Sequence, residues 1–276
     1  MIQGTYYKEW SSVLNREIEF KVYGSAGVPV LALPARGGRF FDWENNGMPD
    51  AIAHLLNEGK IQLFCADSVD GEGVLNGNLP LRRRAEVQEK YFVYLTAELT
   101  PRILALNKAE KGTKIWCAGV DLGAYQAVNC RLRRPNLFAG AVGMGGIYDL
   151  SRFWGAESDD LVLRCSPLLY LQENGIANKL ALVKAEENSL ILCAGQGAYE
   201  DDAKADTQAL ADLLHIPREA TVAVGDSEND RAMLEKAGIA AVMANGMPHI
   251  QALADLVSTN DCDHDGVAEL FERLGL

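Results

Sequence analysis

The sequence predicts an α/β fold with a mainly parallel sheet and helices on both of its faces. Short apolar runs alternate along the chain with stretches of helical spacing, and no repeat or low-complexity linker separates them. Continuous apolar runs are typical of strands buried on both faces, and their alternation with helices is typical of parallel sheets. The chain has 276 residues, 48% of them hydrophobic, so it can bury a sizeable core.

The first half of the chain contains four predicted strands and two predicted helices. The stretch REIEFKVYG (16–24) alternates with period two, as a half-buried strand does. Continuous apolar runs predict three more strands: VPVLALP (28–34), IQLFCADSV (61–69) and KIWCAGV (114–120). Helical spacing predicts helices over 48–59 and 81–107, and Pro101 predicts a bend in the second helix.

The second half continues the same alternation. The predicted strands are 137–146, 189–197, 220–226 and 239–246, and the predicted helices are 122–133, 201–214, 228–237 and two short terminal ones. Residues 147–188 are less regular and predict either an insertion that covers the site or an ordinary long connection. Ligands bind at the carboxyl ends of parallel strands, so functional residues are expected just after each strand.

The composition favours a cytoplasmic protein that binds neither nucleic acid nor a membrane. The net charge of −12 disfavours nucleic acid as a partner, because phosphate backbones would be repelled. No apolar run is long enough to span a membrane, and the stretch MIQGTYYKEWSS lacks the pattern of a signal peptide. The six cysteines form no C-x-x-C pair, which favours buried free thiols in a reducing compartment. The composition leaves the oligomeric state open.

A G-x-x-x-G pattern predicts a sharp corner between the strand at 114–120 and the helix that follows it. The stretch GVDLG has the layout of a nucleophile elbow, in which one reactive side chain projects from a strained strand-to-helix turn. Gly119 and Gly123 supply the small residues that such a turn needs. The reactive position is usually serine, and in this sequence it is Asp121.

The elbow also predicts where an oxyanion would be bound. The backbone N–H of Leu122 would point into the site as one donor. The second donor is expected from the loop ARGGRFF, where Gly37, Gly38 and Arg39 are the candidates. The alternative is that the two glycines only form a simple turn.

Residues 1 to about 214 resemble the esterase branch of the α/β-hydrolases. The resemblance lies in stretches that follow the order of that family: YYKEWSSVLNREIEFKVYG, PARGGRFFDWEN, GKIQLFCADSVD, GVDLGAYQA, RRPNLFAGAV, GGIYDLSRFWG and GQGAYEDD. It implies hydrolysis of ester-like small substrates without a cofactor. The elbow departs from the family because it carries Asp121 in place of serine.

The resemblance implies two partners for the elbow residue. The family's acid follows a Q-G-x-x-acid pattern, which places Glu200 in that role; the alternative is that Glu200 belongs to the acidic first turn of a helix. The family's histidine is expected near 226–235, where this chain has none. His249 is the candidate, and the remaining histidines are His54, His215 and His264.

The C-terminal part resembles haloacid dehalogenase-superfamily phosphatases of the sugar-phosphatase type. It contains the motif GDSEND, in which that family uses the residues matching Asp226 and Asp230 to hold Mg²⁺. The family's nucleophile motif, D-x-D-x-[TV], is absent from the sequence. Lys204 lies one position from the place expected for the phosphate-binding lysine.

The chain thus carries resemblances to two different families, one in each part of the sequence. We predict a single α/β domain over 1–276, in which the haloacid dehalogenase-like portion (215–276) completes the sheet of the esterase-like portion (1–214). An incomplete sheet would otherwise expose an open edge.

Three hypotheses describe what Asp121 does. In the first, Asp121 is a nucleophile on the esterase-like scaffold, because GVDLG resembles the elbow of the dehalogenase and epoxide-hydrolase branches; its hydrolase activity is weak or lost without the elbow serine. In the second, Asp121 converges with Asp226 and Asp230 on Mg²⁺ for phosphatase-like chemistry. In the third, the chain is an inactive hybrid or scaffold.

Overall fold

A computed structural model describes residues 2–155, 160–173, 190–195 and 200–274. The chain divides into two compact units, Met1–Leu213 and Leu214–Leu276. The sequence predicts one domain, whereas the structure has two units with their boundary where the esterase-like portion ends. The two are therefore described separately.

The larger unit contains a seven-stranded sheet with the strand order β1-β2-β4-β3-β5-β6-β7 in the described residues. Its strands are β1 (Thr5–Ser11), β2 (Arg16–Tyr23), β3 (Val28–Leu33), β4 (Ile61–Ala66), β5 (Ile115–Val120), β6 (Phe138–Met144) and β7 (Leu190–Cys193). The pairs β1–β2 and β2–β4 are antiparallel, and the remaining pairs are parallel. The prediction of a mainly parallel sheet is confirmed.

Helices cover this sheet. They are α1 (Asp42–Asn45), α2 (Met48–Ala51), α3 (Ala53–Asn57), α4 (Leu81–Val93), α5 (Thr100–Asn107), α6 (Leu122–Arg133), α7 (Ser151–Trp154), α8 (Asp160–Cys165), α9 (Pro167–Glu173) and α10 (Asp201–Leu213). A π-helical stretch, Tyr94–Leu99, joins α4 to α5 just before Pro101. Proline has no N–H to continue the hydrogen-bond ladder, and the Thr100 hydroxyl donates to the Leu95 carbonyl at 2.7 Å.

The core lies on both faces of the larger sheet, because alternate residues of its central strands point in opposite directions. Leu31 and Leu33 pack with α4, α5 and α6 on one face. Ala32 packs with Trp43 and Leu56, from α1 and α3, on the other. None of the six cysteines, all of which lie in the described residues, forms a disulfide. Four are buried, whereas Cys193 is half-buried and Cys262 is exposed, and the last two depart from the expectation of buried thiols.

The smaller unit has its own sheet of three parallel strands in the order β10-β9-β8. Its elements are β8 (Val222–Gly225), α11 (Arg231–Leu234), β9 (Ile239–Val242), α12 (Pro248–Gln251), β10 (Leu256–Val257) and α13 (Gly266–Leu274). The described strands of this unit pair with one another, and the single domain in which they complete the larger sheet remains a prediction. They pack around an apolar cluster of their own, which includes Ala223, Leu234 and Ile250.

The sequence predicts no membrane-spanning segment, and the helices of the structure can be compared with this prediction. Among the described residues, no helix is both long and apolar enough to cross a bilayer.

Candidate functional site

Asp121 lies at the corner between β5 and α6 with φ 54° and ψ −114°. A non-glycine residue in this backbone region is strained, at a cost of about 1–3 kcal/mol. The corner is closed by two glycines. A Cβ on Gly119 would lie 2.1 Å from the carbonyl oxygen of Gly123, and a Cβ on Gly123 would lie 2.3 Å from the carbonyl oxygen of Pro34. The corner therefore has the strand–turn–helix geometry that the G-x-x-x-G pattern predicts.

The carboxylate of Asp121 is held by Arg36, which follows β3. The Arg36 side chain donates from Nε to Oδ2 and from Nη2 to Oδ1, both at 3.0 Å. Its backbone N–H also donates to Oδ2, at 3.2 Å. Asp121 raises the pKa of the Arg36 guanidinium, mainly through these hydrogen bonds. The elbow carboxylate is thus bound by a bidentate fork and by one backbone donor.

The sequence predicts Gly38 and Arg39 as oxyanion donors, and this role remains a prediction. The N–H of Gly38 closes a turn onto the Ala35 carbonyl at 2.8 Å. The Arg39 side chain turns away and donates to Asp67 at 2.6 Å. The backbone donor that faces Asp121 is that of Arg36.

Leu122 begins α6, and its side chain is buried. The N–H of the first residue of a helix has no acceptor inside that helix. Leu122 therefore keeps the position that the sequence predicts for one oxyanion donor, next to the residue that bears the carboxylate.

Asp70 lies beneath the loop that carries Arg36. Its side chain is buried, and its Oδ2 accepts the N–H of Gly37 at 3.1 Å. Burial raises the pKa of Asp70 to about 6; the Gly37 hydrogen bond opposes this shift, and the negative charge of Asp121 adds to it. Neither Arg36 nor Asp70 was predicted as a site residue. Their position in the sequence is the signal that could have identified them, because Arg36 and Asp70 each follow a strand that ends at the same edge of the sheet.

Glu200 lies directly before α10, and its carboxylate is close to Gly195, which follows β7. A Cβ on Gly195 would lie 2.1 Å from Oε2 of Glu200. Residues 196–199, which carry most of the Q-G-x-x-acid pattern, lie outside the described residues. The role of Glu200 as the acid of the site remains a prediction.

Two acidic residues of α10 attach this helix to the segment that follows β6. Asp206 is buried and accepts the N–H groups of Tyr148 and Asp149, both at 2.8 Å. Arg152 forms ion pairs of 2.6 Å with Asp206 and with Asp202. Acidic residues after position 200 thus serve to dock a helix.

The larger unit has no histidine where the elbow would need one. Its sequence contains a single histidine, His54. This residue lies in α3, which leads into the amino end of β4, whereas Asp121 lies at the carboxyl end of the parallel strand β5. His54 and Asp121 are therefore at opposite edges of the same sheet.

The candidate base His249 forms a contact within the smaller unit. Its Nε2 lies 2.7 Å from Oε2 of Glu228. The other carboxylate oxygen of Glu228, Oε1, lies 2.6 Å from Nε of Arg231. Arg231 and His249 lower the pKa of Glu228 to about 2, with the Arg231 hydrogen bond as the largest cause. The assignment of His249 as a catalytic base remains a prediction.

The predicted metal ligands Asp226 and Asp230 follow β8. Oδ2 of Asp230 accepts the N–H groups of Asp226 and Ser227, at 2.9 and 3.1 Å, so this oxygen caps the turn. Oδ2 of Asp226 accepts a hydrogen bond of 3.2 Å from Nδ2 of Asn245. Within the described residues, no cluster of three or more acidic, histidine or cysteine side chains could hold a metal. The assignment of Asp226 and Asp230 as Mg²⁺ ligands remains a prediction.

Comparison with known proteins accounts for both units. Residues 203–271 match the family model of the haloacid dehalogenase-like hydrolases. The phosphatase YwpJ from Bacillus subtilis is 38% identical over 98 residues, which are 36% of this chain and 33% of its own length. The match thus spans about a third of that relative.

Solved structures of esterases and related hydrolases, rather than of phosphatases, match most of this chain. A ferulic acid esterase has a TM-score of 0.57 and 13% identity, with 78% of this chain and 87% of that chain covered. An S-formylglutathione hydrolase from Agrobacterium tumefaciens has a TM-score of 0.52 and 14% identity, with 78% and 96% covered.

The chain joins an esterase-type α/β-hydrolase fold to a haloacid dehalogenase-like segment. Both resemblances that the sequence suggests are confirmed. The family model begins at residue 203, inside α10, whereas the sequence places the change near 215. Helix α10 therefore matches one family in sequence and packs, through Asp206, on the unit that has the fold of the other.

Proposed function

We propose that the chain is an esterase-type hydrolase of small ester-like substrates, whose activity is weakened because Asp121 replaces the elbow serine. The observation that carries the proposal is the corner at Asp121, with its positive φ and its two closely packed glycines. Such a corner exists to present one side chain at the edge of the sheet, and strain of this kind clusters at functional sites.

The contacts of Asp121 explain why this activity should be weak. Attack by a carboxylate on a carboxylic ester would form an anhydride, which is a poor substitute for the acyl-serine route. The negative charge also lies where a developing oxyanion would need positive partners, and it already engages the N–H of Arg36. A site without a base to relay protons retains only the catalysis of its oxyanion donors and of substrate binding.

The experiment is hydrolysis of p-nitrophenyl acetate by the wild-type protein, Asp121→Asn and Asp121→Ser, with EDTA present throughout. Asparagine removes the negative charge and keeps the size, whereas serine also supplies a hydroxyl. Because one oxyanion donor affects such rates by about 10²–10³, freeing Arg36 should raise the rate of either variant about tenfold or more. We expect Asp121→Ser to be the fastest of the three.

A matched control is Glu58→Gln, which removes an exposed carboxylate of the same unit that pairs with Lys60. Its rate should equal that of the wild-type protein. Rates of all four proteins at the level of buffer alone would contradict the proposal and would favour an inactive hybrid.

Magnesium-dependent phosphatase chemistry is the second candidate, and the match of residues 203–271 to phosphatases favours it. Asp226 would be its metal ligand, although the donors around Asp230 are already used for capping. Turnover of p-nitrophenyl phosphate that depends on added Mg²⁺ and is lost in Asp226→Asn would establish this candidate in place of the first.

A further inference from the structure

We propose that Arg36 and the start of α6 form a binding site for small carboxylates, which the chain fills with its own Asp121 side chain. The ligand class is the acid that an ester releases, such as formate or acetate. The inference rests on the proposed function only for its location, because binding of the anion requires no hydrolysis.

The donors around the Asp121 carboxylate are arranged as a carboxylate receptor. Two side-chain nitrogens of Arg36 and its backbone N–H converge on the two carboxylate oxygens at 3.0–3.2 Å. The planar guanidinium fork matches the geometry of a carboxylate better than any other side chain. Asp121 also immediately precedes the twelve-residue helix α6, whose amino end carries a partial positive charge.

Arg36 is held in place by groups other than Asp121. Its guanidinium carbon lies 4.8 Å from the centre of the Phe153 ring, a cation–π distance. The next residue, Gly37, is bound through its N–H to buried Asp70. The preceding Pro34 is packed against Gly123 of α6. Removal of the Asp121 carboxylate should therefore leave an organised and empty receptor.

Access to the fork is the remaining requirement. Only Asp121 contacts the Arg36 guanidinium as a hydrogen-bonded carboxylate, whereas Asp70 and Asp202 act on it through space. The side chains of Arg36 and Asp121 are 46% and 22% exposed, so a small anion can reach the fork from solvent.

The test is isothermal titration of sodium formate and sodium acetate into Asp121→Gly at constant ionic strength. Glycine removes the carboxylate and also tolerates the positive φ at this corner, so this variant should fold. Given the affinity ceiling for ligands of three or four heavy atoms, we expect a dissociation constant on the order of 1 mM. The wild-type protein should bind at least tenfold more weakly, because its own carboxylate competes.

Three further proteins make the result specific. The double variant Asp121→Gly/Arg36→Ala should bind at least tenfold more weakly than Asp121→Gly. The control Glu58→Ala, which removes an exposed carboxylate that pairs with Lys60 outside the receptor, should behave like the wild-type protein. Asp121→Ala is a second variant with the carboxylate removed, and it should bind the same anions.

The outcomes separate this inference from the proposed function. Binding to both Asp121 variants that disappears with Arg36 supports the receptor, whether or not esters are hydrolysed. Absence of binding to both Asp121 variants, or binding to Asp121→Gly that is no tighter than binding to the wild-type protein or to the double variant, would overturn it even if Asp121→Ser proves to be an active esterase.

Discussion

Replacement of Asp70 by asparagine should stabilise the larger unit at neutral pH. Asp70 is buried beneath the Arg36 loop, and burial raises its pKa to about 6. Its usual pKa in an unfolded chain is about 3.9, so the shift is about 2 units. At 1.36 kcal/mol per unit, keeping this carboxylate ionised at pH 7.5 costs the folded state about 3 kcal/mol. Asparagine keeps a carbonyl oxygen for the Gly37 N–H and carries no charge.

The sign of the pH dependence follows from the direction of the shift. Because the pKa is raised in the folded state, the fold favours the protonated acid. The stabilising contribution is complete below pH about 4, and it is lost as the pH rises through about 6. The advantage of Asp70→Asn should therefore be near zero at pH 4 and grow to about 1–3 kcal/mol at pH 7.5.

Urea unfolding followed by tryptophan fluorescence is a suitable assay. All four tryptophans, Trp10, Trp43, Trp116 and Trp154, lie in the larger unit, so the signal reports the unit that contains Asp70. The free energies of unfolding of the two proteins are compared at each pH. A difference that is constant between pH 4 and 7.5, or an asparagine variant that is less stable at pH 7.5, would refute the reasoning.

Three other substitutions test separate parts of the structure. Gly123→Ala forces a Cβ against the Pro34 carbonyl and should lower the free energy of unfolding by about 1–3 kcal/mol, measured in the same urea assay; an unchanged value would contradict the elbow packing. Asp206→Ala leaves the buried N–H of Tyr148 and the half-buried N–H of Asp149 without their acceptor and should cost about 3 kcal/mol. Asp202→Ala, at the exposed end of the same network, should cost at most about 1 kcal/mol, and equal effects would refute this assignment. Asp230→Ala removes the cap of the turn after β8 and should cost about 1–2 kcal/mol in thermal unfolding followed by circular dichroism; an unaltered transition would argue against the cap.

Much of the fold could be predicted because its signals are local. The apolar runs that become β3, β4 and β5 are continuous, and the glycines on either side of Asp121 allow only a tight corner. The separation of the two sheets could not be predicted in this way. Strand pairing depends on contacts between distant segments, and the period of a strand does not say which neighbour it will have.

The site was predicted less completely than the fold. The elbow position was found because its pattern lies within five residues, whereas Arg36 and Asp121 are 85 positions apart. The raised pKa of Asp70 arises from burial, which depends on the packing of the Arg36 loop above it. The sequence around Asp70 therefore does not indicate that its pKa is raised.

The central claim is that residue 121 occupies the nucleophile position of an ester-binding site. The most direct measurement is mass spectrometry of Asp121→Ser after brief exposure to p-nitrophenyl acetate. Because the larger unit has no histidine near the elbow to assist deacylation, one acetyl group should accumulate and map to residue 121, and the wild-type protein should carry none there. An unmodified Asp121→Ser protein, or acetylation that is the same in both proteins, would contradict the account.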